Sequence, residues 1–113
     1  MLMDAIERAI VYTTVDLVDY VGGQQETAKL ISKITGSVAI VAVDAGVSTT
    51  NKTSPFDTLL YILEGTAEVK INSHPHQLTA GQFIILPAHI DSYISSRTRF
   101  KMLLTVIKSG YES

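Results

Sequence analysis

From residue 38 onward, the sequence is divided into short apolar and β-branched runs, each bounded by residues that favour turns. The separating Gly, Asn, Asp and Pro residues tolerate or fix the backbone dihedral angles that a tight turn requires. No helical pattern intervenes between the runs, so the sequence predicts an all-β sandwich or barrel. The six predicted strands are Val38–Val43, Thr58–Leu63, Ala67–Ile71, Gln82–Leu86, Asp91–Ile94 and Phe100–Ile107.

The N-terminal third has a less regular pattern. Asp4–Ala9 has apolar residues at helical spacing after an Asp that can serve as an N-cap, which predicts one short helix. Residues 11–20 are rich in Val, Tyr and Thr, and a Gly-Gly turn at 22–23 precedes Thr27–Ile34. This composition predicts a pair of short N-terminal strands.

The length and hydrophobicity of the chain indicate one domain, covering 1–113, with a shared surface. The 113 residues are 46% hydrophobic, and Leu59–Leu63, Phe83–Leu86 and Met102–Leu104 are apolar on both faces of their strands. One face can fill a barrel interior, but the other face also needs cover. We therefore expect a homodimer, with cover by the N-terminal segment alone as the alternative.

Charge and cysteine content argue against several classes of partner. The sequence has no cysteine, which excludes disulfides and thiol-based sites and fits a reducing compartment. Its net charge is −2, and the basic residues near the C-terminal hairpin are few, so we expect no nucleic-acid binding. No apolar stretch approaches the ~20 residues that span a bilayer, and the N-terminus does not read as a signal peptide. We expect a cytoplasmic protein without membrane contact.

Residues 46–96 resemble the two sequence motifs of the cupin superfamily. In the first motif, at 46–65, Gly46 and Gly65 keep the family's spacing. In the second motif, at 81–96, Gly81 and Pro87 lie in register. The chain is identified as a small single-domain cupin whose metal-ligand motifs are degenerate.

The resemblance implies a cupin-type double-stranded β-helix, a jelly-roll-like barrel with N-terminal strands, whose ligand residues point into a wide mouth. Ordinary cupins bind a transition metal there through His and Glu side chains. Here the corresponding positions hold Lys52, Ser54, Thr58 and Ser92. An ammonium and three hydroxyls are poor ligands for such a metal. We therefore expect no metal and predict no cofactor.

The same four residues form the predicted binding site, with Tyr61 and Tyr93 as wall residues. A mostly apolar cavity with a few convergent polar groups is typical of a small-molecule site. If Lys52 points inward, its ammonium needs an anionic or carbonyl-bearing partner, which predicts a small anionic organic ligand. The alternative is that Lys52 lies at the start of a strand and extends its ammonium into water.

Histidine provides only weak candidates for catalysis. His89 occupies a position where the family has glycine, and Asp91 is near it in sequence, so these two are the candidate catalytic residues. His74 and His76 form a His-Pro-His sequence one hairpin after the ligand positions, which we interpret as a solvated turn.

Three functions remain open from the sequence. The first is a metal-independent cupin that binds or senses a small molecule in the barrel mouth. The second is an enzyme, either isomerase-like or with an unforeseen metal site, although we do not expect a metal-dependent oxygenase. The third is a dimerisation scaffold without a ligand. The fold alone does not choose among them.

Overall fold

The computed structural model describes residues 6–51 and 54–108, and within these ranges the regular secondary structure is almost entirely β-strand. The strands are β1 (Gln25–Lys33), β2 (Gly36–Val43), β3 (Thr49–Asn51), β4 (Thr58–Glu64), β5 (Thr66–Ile71), β6 (His74–Thr79), β7 (Phe83–Leu86), β8 (Ser92–Ser95) and β9 (Phe100–Ile107). A single turn of 3₁₀ helix, Thr14–Asp16, precedes them.

The strands form two antiparallel sheets. One sheet has five strands in the order β1-β2-β9-β4-β7, and the other has four in the order β3-β8-β5-β6. Because β9 lies at the centre of the first sheet and pairs with β2 and β4, the C-terminal strand joins the two halves of the chain. The all-β architecture of short antiparallel strands expected from the sequence is confirmed.

The main hydrophobic core lies between the two sheets. Alternate side chains of each strand point inward, and the fully buried ones include Leu60 and Ile62 from β4, Phe100 from β9, and Val69 and Ile94 from the smaller sheet. Both sheets therefore contribute to one core, and the inner face of each strand is fixed by this packing.

A second, smaller hydrophobic cluster lies on the outer face of the five-stranded sheet. The buried side chains of Val18, Ala28, Ile40 and Ala42 form it, and Leu17 and Tyr20 pack against it. The segment before β1 therefore covers one end of this outer face. The alternative in which the N-terminal segment alone covers this face holds only for that end, since Ile31 and Ile85 of the same face stay exposed.

Polar contacts hold this N-terminal segment in place. The Tyr20 hydroxyl donates a 2.5 Å hydrogen bond to the Glu64 carboxylate, and the Arg99 and Lys101 cations lie 5.1 and 4.9 Å from the centre of the Tyr20 ring. Burial, and next the bond to Glu64, raises the pKa of Tyr20. Hydrogen bonds from the Gly23 amide and from Arg99 lower the pKa of Asp44.

Two N-terminal predictions are wrong. The predicted helix Asp4–Ala9 lies partly outside the described residues, and its described part, 6–9, is not helical. Ala9 has a φ of 65°, which is incompatible with a right-handed helix. Residues 11–20 do not form a strand; the side chains of Leu17, Val18 and Tyr20 pack onto an existing sheet face instead of joining a ladder. Thr27–Ile34 falls within β1 apart from Ile34, and its partner is β2.

All six strands predicted from residue 38 onward are confirmed to within two residues at each end. Strands β3 and β6 were not predicted from the sequence. The interpretation of His74 and His76 as turn residues is wrong, since both lie in β6, where their side chains are exposed. No helix among residues 6–51 and 54–108 is long and apolar enough to cross a membrane.

Candidate functional site

Strand β4 places Thr58 inside the barrel and Tyr61 outside it. Thr58, Leu60 and Ile62 are buried and alternate with less buried residues along the strand. Since successive side chains of a strand point to opposite faces, Tyr61 lies on the outer face of the five-stranded sheet. The structure does not bring Tyr61 together with the Thr58 hydroxyl.

Strand β8 separates Ser92 from Tyr93 in the same way. Ser92 is 2% exposed and Ile94 is also buried, whereas Tyr93 between them is 47% exposed. Ser92 therefore points inward and Tyr93 outward. Of the predicted site residues, Thr58 and Ser92 are the buried hydroxyls, one from each sheet.

Short hydrogen bonds join the two loops that lead into β4 and β8. The His89 amide donates to the Ser54 carbonyl oxygen at 2.6 Å, and the Ala88 amide donates to Asp57 Oδ1 at 2.7 Å. The Ser54 hydroxyl accepts a hydrogen bond from the Phe56 amide within its own loop. Ser54 thus acts mainly as a loop anchor here. Lys52 lies outside the described residues, so its predicted role stays a prediction.

His89 has a φ of 66°, in the left-handed region that favours glycine. The second cupin motif has glycine at this position. His89 therefore replaces the glycine but keeps a backbone conformation that glycine favours. His89 and Asp91 are both exposed. A non-glycine residue held in this conformation is strained, and such strain often accompanies functional sites.

A small cavity lies inside the barrel, with a volume of about 110 Å³. Its walls are mostly apolar, and three of its side chains, Gln25, Thr49 and Thr58, are polar. None of the residues that line it is charged. The remaining lining residues are Val41, Leu86, Ile94, Met102 and Leu104.

An open groove of about 560 Å³ lies beside the β5–β6 turn. Four of the predicted site residues line it together: His89, Asp91, Ser92 and Tyr93. Lys70 from β5 and the turn residues Asn72 and Ser73 complete its polar lining, with Ile90 as an apolar member. Asn72 and Ser73 also have positive φ values, of 50° and 70°. The groove therefore combines an imidazole, a carboxylate, an ammonium and a phenol.

The donor atoms at the motif positions do not fit a transition metal. Thr58 and Ser92 offer only hydroxyls, and Ser54 uses its hydroxyl and carbonyl oxygens to hold the loops. Zinc, iron and related ions in proteins are bound by imidazole, thiolate and carboxylate ligands. Within the described part of the chain, no three His, Asp or Glu side chains come close enough to bind a metal ion together.

Several residues that line the cavity and the groove were not predicted from the sequence. Gln25 reaches the cavity from β1, which no motif covers, and Thr49 precedes the first motif's ligand positions in the unpredicted strand β3. Lys70 lies opposite Tyr93 in the β5–β8 ladder. In the sequence, Gln25, Thr49 and Lys70 are marked only as polar residues within or beside an apolar strand. That pattern does not distinguish a binding site from a solvated face.

Comparison with known families and structures agrees with this architecture. The sequence model of the family described as Cupin domain matches residues 39–107. No curated protein matches the sequence.

Solved structures with the same fold cover nearly the whole chain. A conserved protein of unknown function from Streptococcus pyogenes is 27% identical, with a TM-score of 0.85 and 96% of each chain covered. A cupin superfamily protein from Desulfitobacterium hafniense is 20% identical, with a TM-score of 0.84 over 96% of this chain and all of that chain. A cupin 2 conserved barrel domain protein from Leptotrichia buccalis is 27% identical, with a TM-score of 0.78, over 83% of this chain and 46% of that chain.

Proposed function

This chain belongs to the cupin domain family, and from that premise we propose that it binds or senses a small organic molecule inside its barrel, without a metal. The observation that supports the proposal is the internal cavity, whose apolar walls surround the buried hydroxyl-bearing side chain of Thr58 at a former ligand position. A mostly apolar cavity with a few polar groups is the usual form of a small-molecule site.

The size of the cavity limits the part of the ligand that it holds. One water molecule takes about 30 Å³ of the liquid, so a cavity of about 110 Å³ holds a group of only a few heavy atoms. Because the lining residues are uncharged, that group is neutral, with a carbonyl or hydroxyl oxygen placed to contact Thr58, Thr49 or Gln25. The anionic ligand expected from the sequence depends on Lys52, which lies outside the described residues.

The proposal extends to metal independence and to a cytoplasmic location. Metal independence is supported by hydroxyls at the motif positions in place of imidazole and carboxylate. The cytoplasmic location is supported by the absence of cysteine from the sequence.

Binding can be tested with a panel of two- to five-carbon alcohols, aldehydes, ketones and carboxylic acids. We expect at least one compound to raise the melting temperature in proportion to its concentration, as a ligand of the native state must. Thr58→Val keeps the shape of the side chain and removes its hydroxyl, so it should weaken binding about five- to tenfold. Thr105→Val, on the opposite face of the same sheet, is the matched control and should leave the affinity unchanged.

Two results would contradict the proposal. If no compound of the panel stabilises the wild-type protein, and the cavity also fails to bind xenon under pressure, the barrel is a scaffold without a ligand. If elemental analysis of the purified protein finds a stoichiometric transition metal, metal independence is wrong.

A second candidate function, an isomerase-like enzyme, is favoured by the groove. His89 and Asp91 line it together with Lys70 and Tyr93, and an imidazole can move a proton at neutral pH. Incubating the protein in D₂O with hydroxyketones and their phosphates tests for exchange of a carbon-bound proton, observed by NMR. His89→Asn removes the imidazole with a residue that tolerates the left-handed conformation. Exchange that this variant abolishes would favour the enzyme, and no exchange would exclude it for these substrates.

A further inference from the structure

Two histidines of β6 lie two residues apart on the same side of the strand. His74 and His76 flank Pro75 at the start of β6, and both are exposed. Because alternate side chains of a strand point to the same face, the two imidazoles share a face of the smaller sheet. Leu78, two residues further along, lies on that face too and is buried in the main core. The histidine pair therefore lies where the inner face of this sheet reaches the solvent.

Pairing with β5 fixes the direction of the two imidazoles. His76 lies opposite Val69, and His74 lies opposite Ile71 in the β5–β6 ladder. Both residues of the turn at 72–73 have positive φ values, of 50° and 70°, as the two-residue turn of a tight hairpin requires. Such a turn determines the register of its hairpin, so both histidines keep their places on one face.

Pro75 stiffens the backbone between the two histidines. Its ring fixes its own φ, and it restricts His74, the residue before it, to an extended conformation. Strand β6 is at the edge of its sheet, where a proline is tolerated. A stiff spacer reduces the entropy that is lost when two side chains are held on one ligand.

We propose that His74 and His76 together bind one divalent transition-metal ion, Cu²⁺ most tightly and Ni²⁺ and Zn²⁺ more weakly. Imidazole suits all three ions, and this order of affinity is the usual one for a site of nitrogen ligands. Alternate side chains of a strand start about 6.8 Å apart, and two nitrogens bound at about 2 Å to one ion lie about 3 Å apart. Each imidazole therefore needs to lean about 2 Å toward the other.

The described part of the chain offers this ion two protein ligands. No group of three His, Asp or Glu side chains among residues 6–51 and 54–108 is placed to hold a metal. Water or an external donor therefore completes the coordination, and the ion remains open to exchange. We expect binding that is reversible and too weak to survive purification.

The charges around the pair do not oppose a cation. The cross-strand neighbours Val69 and Ile71 are apolar, and Lys70 between them pairs with Pro75 on the opposite face. Glu68 lies on that opposite face as well, with its carboxylate 4.0 Å from the Lys70 ammonium. A lysine on the histidine face would instead repel a divalent ion.

The histidine pair is separate from the barrel cavity. None of the residues that line the cavity comes from β6. The inference therefore goes beyond the proposed function and does not depend on ligand binding in the barrel.

Calorimetric titration of the full chain with Cu²⁺, Ni²⁺ and Zn²⁺ at pH 7.5 tests the site. We expect one ion per chain, with Cu²⁺ bound most tightly. His76→Gln should weaken Cu²⁺ binding about 100-fold, since the ion loses one of two linked ligands. The matched control combines His76→Gln with Gln77→His, which exchanges two exposed residues and keeps the composition. It moves the second imidazole to the opposite face and should bind as weakly as His76→Gln.

Electron paramagnetic resonance of the Cu²⁺ complex identifies the ligands directly. The wild type should show hyperfine splitting from two nitrogen donors, and His76→Gln should show splitting from one. A wild-type protein that binds no Cu²⁺, or an exchanged variant that binds as tightly as the wild type, would overturn the proposal. Binding that His76→Gln leaves unchanged would also overturn it and would place the ion elsewhere. Binding that is lost in this variant supports the pair and leaves the metal independence of the barrel unaffected.

Discussion

Gly65 and Gly46 are the two glycines that delimit the first motif, and the structure gives them different importance. Both have a left-handed backbone, with φ values of 81° and 77°. A Cβ at position 65 would overlap the carbonyl oxygen of Arg99, whereas a Cβ at position 46 would meet no atom within 4 Å. The absence of a side chain at Gly65 therefore permits both the turn and the close approach of the backbone at Arg99.

Gly65→Ala should consequently lower the free energy of unfolding about 1–3 kcal/mol more than Gly46→Ala does. Both variants have the strain of a left-handed alanine, about 1–2 kcal/mol, and the difference comes from the overlap with the neighbouring backbone. Urea denaturation of the two variants measures it. Equal losses would mean that the strands at Gly65 can separate without cost.

His89 leads to a second prediction for a single residue. Glycine normally destabilises a folded protein relative to alanine by about 0.5–1 kcal/mol, but at a φ of 66° the order should reverse. We expect His89→Gly to be more stable than His89→Ala by about 0.5–1 kcal/mol in urea denaturation. Ala88→Gly is the control, since Ala88 does not have a positive φ, and it should lose stability. A His89→Ala variant as stable as His89→Gly would contradict the left-handed conformation.

At the scale of the elements, the segment before β1 depends on a neutral Tyr20. Its pKa is raised in the folded protein, first by burial and then by Glu64, so the folded state keeps a proton that the unfolded chain releases above about pH 10. The stabilisation is therefore fully present below pH 10 and is lost as the pH rises further.

Tyr20→Phe should remove this part of the alkaline pH dependence. The variant should be less stable than the wild type by about 1 kcal/mol at pH 7, because it lacks the hydrogen bond to Glu64, and the difference should shrink above pH 10. Thermal unfolding from pH 7 to 11 measures both effects. Tyr61→Phe serves as the control, because the wild-type Tyr61 hydroxyl is not among the described hydrogen-bond partners of Glu64. A constant difference at every pH would argue against a shared proton.

The strands that the sequence predicted and those that it missed differ in how they meet the core. Most of the predicted strands have continuous apolar runs, as in Leu59–Leu63, and turn residues bound them. Strand β6 has five exposed residues among its six, so no apolar pattern marks it, and it is held by its ladder to β5. Residues 11–20 have a strand-like composition but form no strand, since Leu17, Val18 and Tyr20 cover a sheet face without entering the sheet.

The candidate site was predictable at its motif positions and not beyond them. The resemblance to the cupin motifs implied that Thr58 and Ser92 point inward, and both are buried on the inner face of their strands. By the same alternation Tyr61 and Tyr93 point outward, so the prediction that they form walls of the cavity does not agree with their position on the strands. Gln25 and Lys70 reach their concavities from strands outside the motifs, and only the three-dimensional pairing of strands reveals such neighbours.

At the scale of the whole molecule, the topology predicts that the chain unfolds as one unit. The first sheet combines strands from both ends of the described chain, and the main core takes side chains from both sheets, including Ile62 from one and Ile94 from the other. Neither sheet can therefore keep its buried face when the other is lost. A single domain of this length usually unfolds in one cooperative transition when it is heated or treated with denaturant.

Ile62→Val and Ile94→Val test this directly, since each removes one buried methyl group from a different sheet. Each variant should lose about 0.5–1.5 kcal/mol, and the loss should be the same by far-UV circular dichroism and by tyrosine fluorescence, which report on different parts of the fold. The urea dependence of the unfolding free energy should stay at its wild-type value. Protein concentration should be equal in all samples, so that any self-association affects each variant equally. If Ile94→Val shifted only one of two separate transitions, the smaller sheet would unfold independently and the core between the sheets would not be the main source of stability.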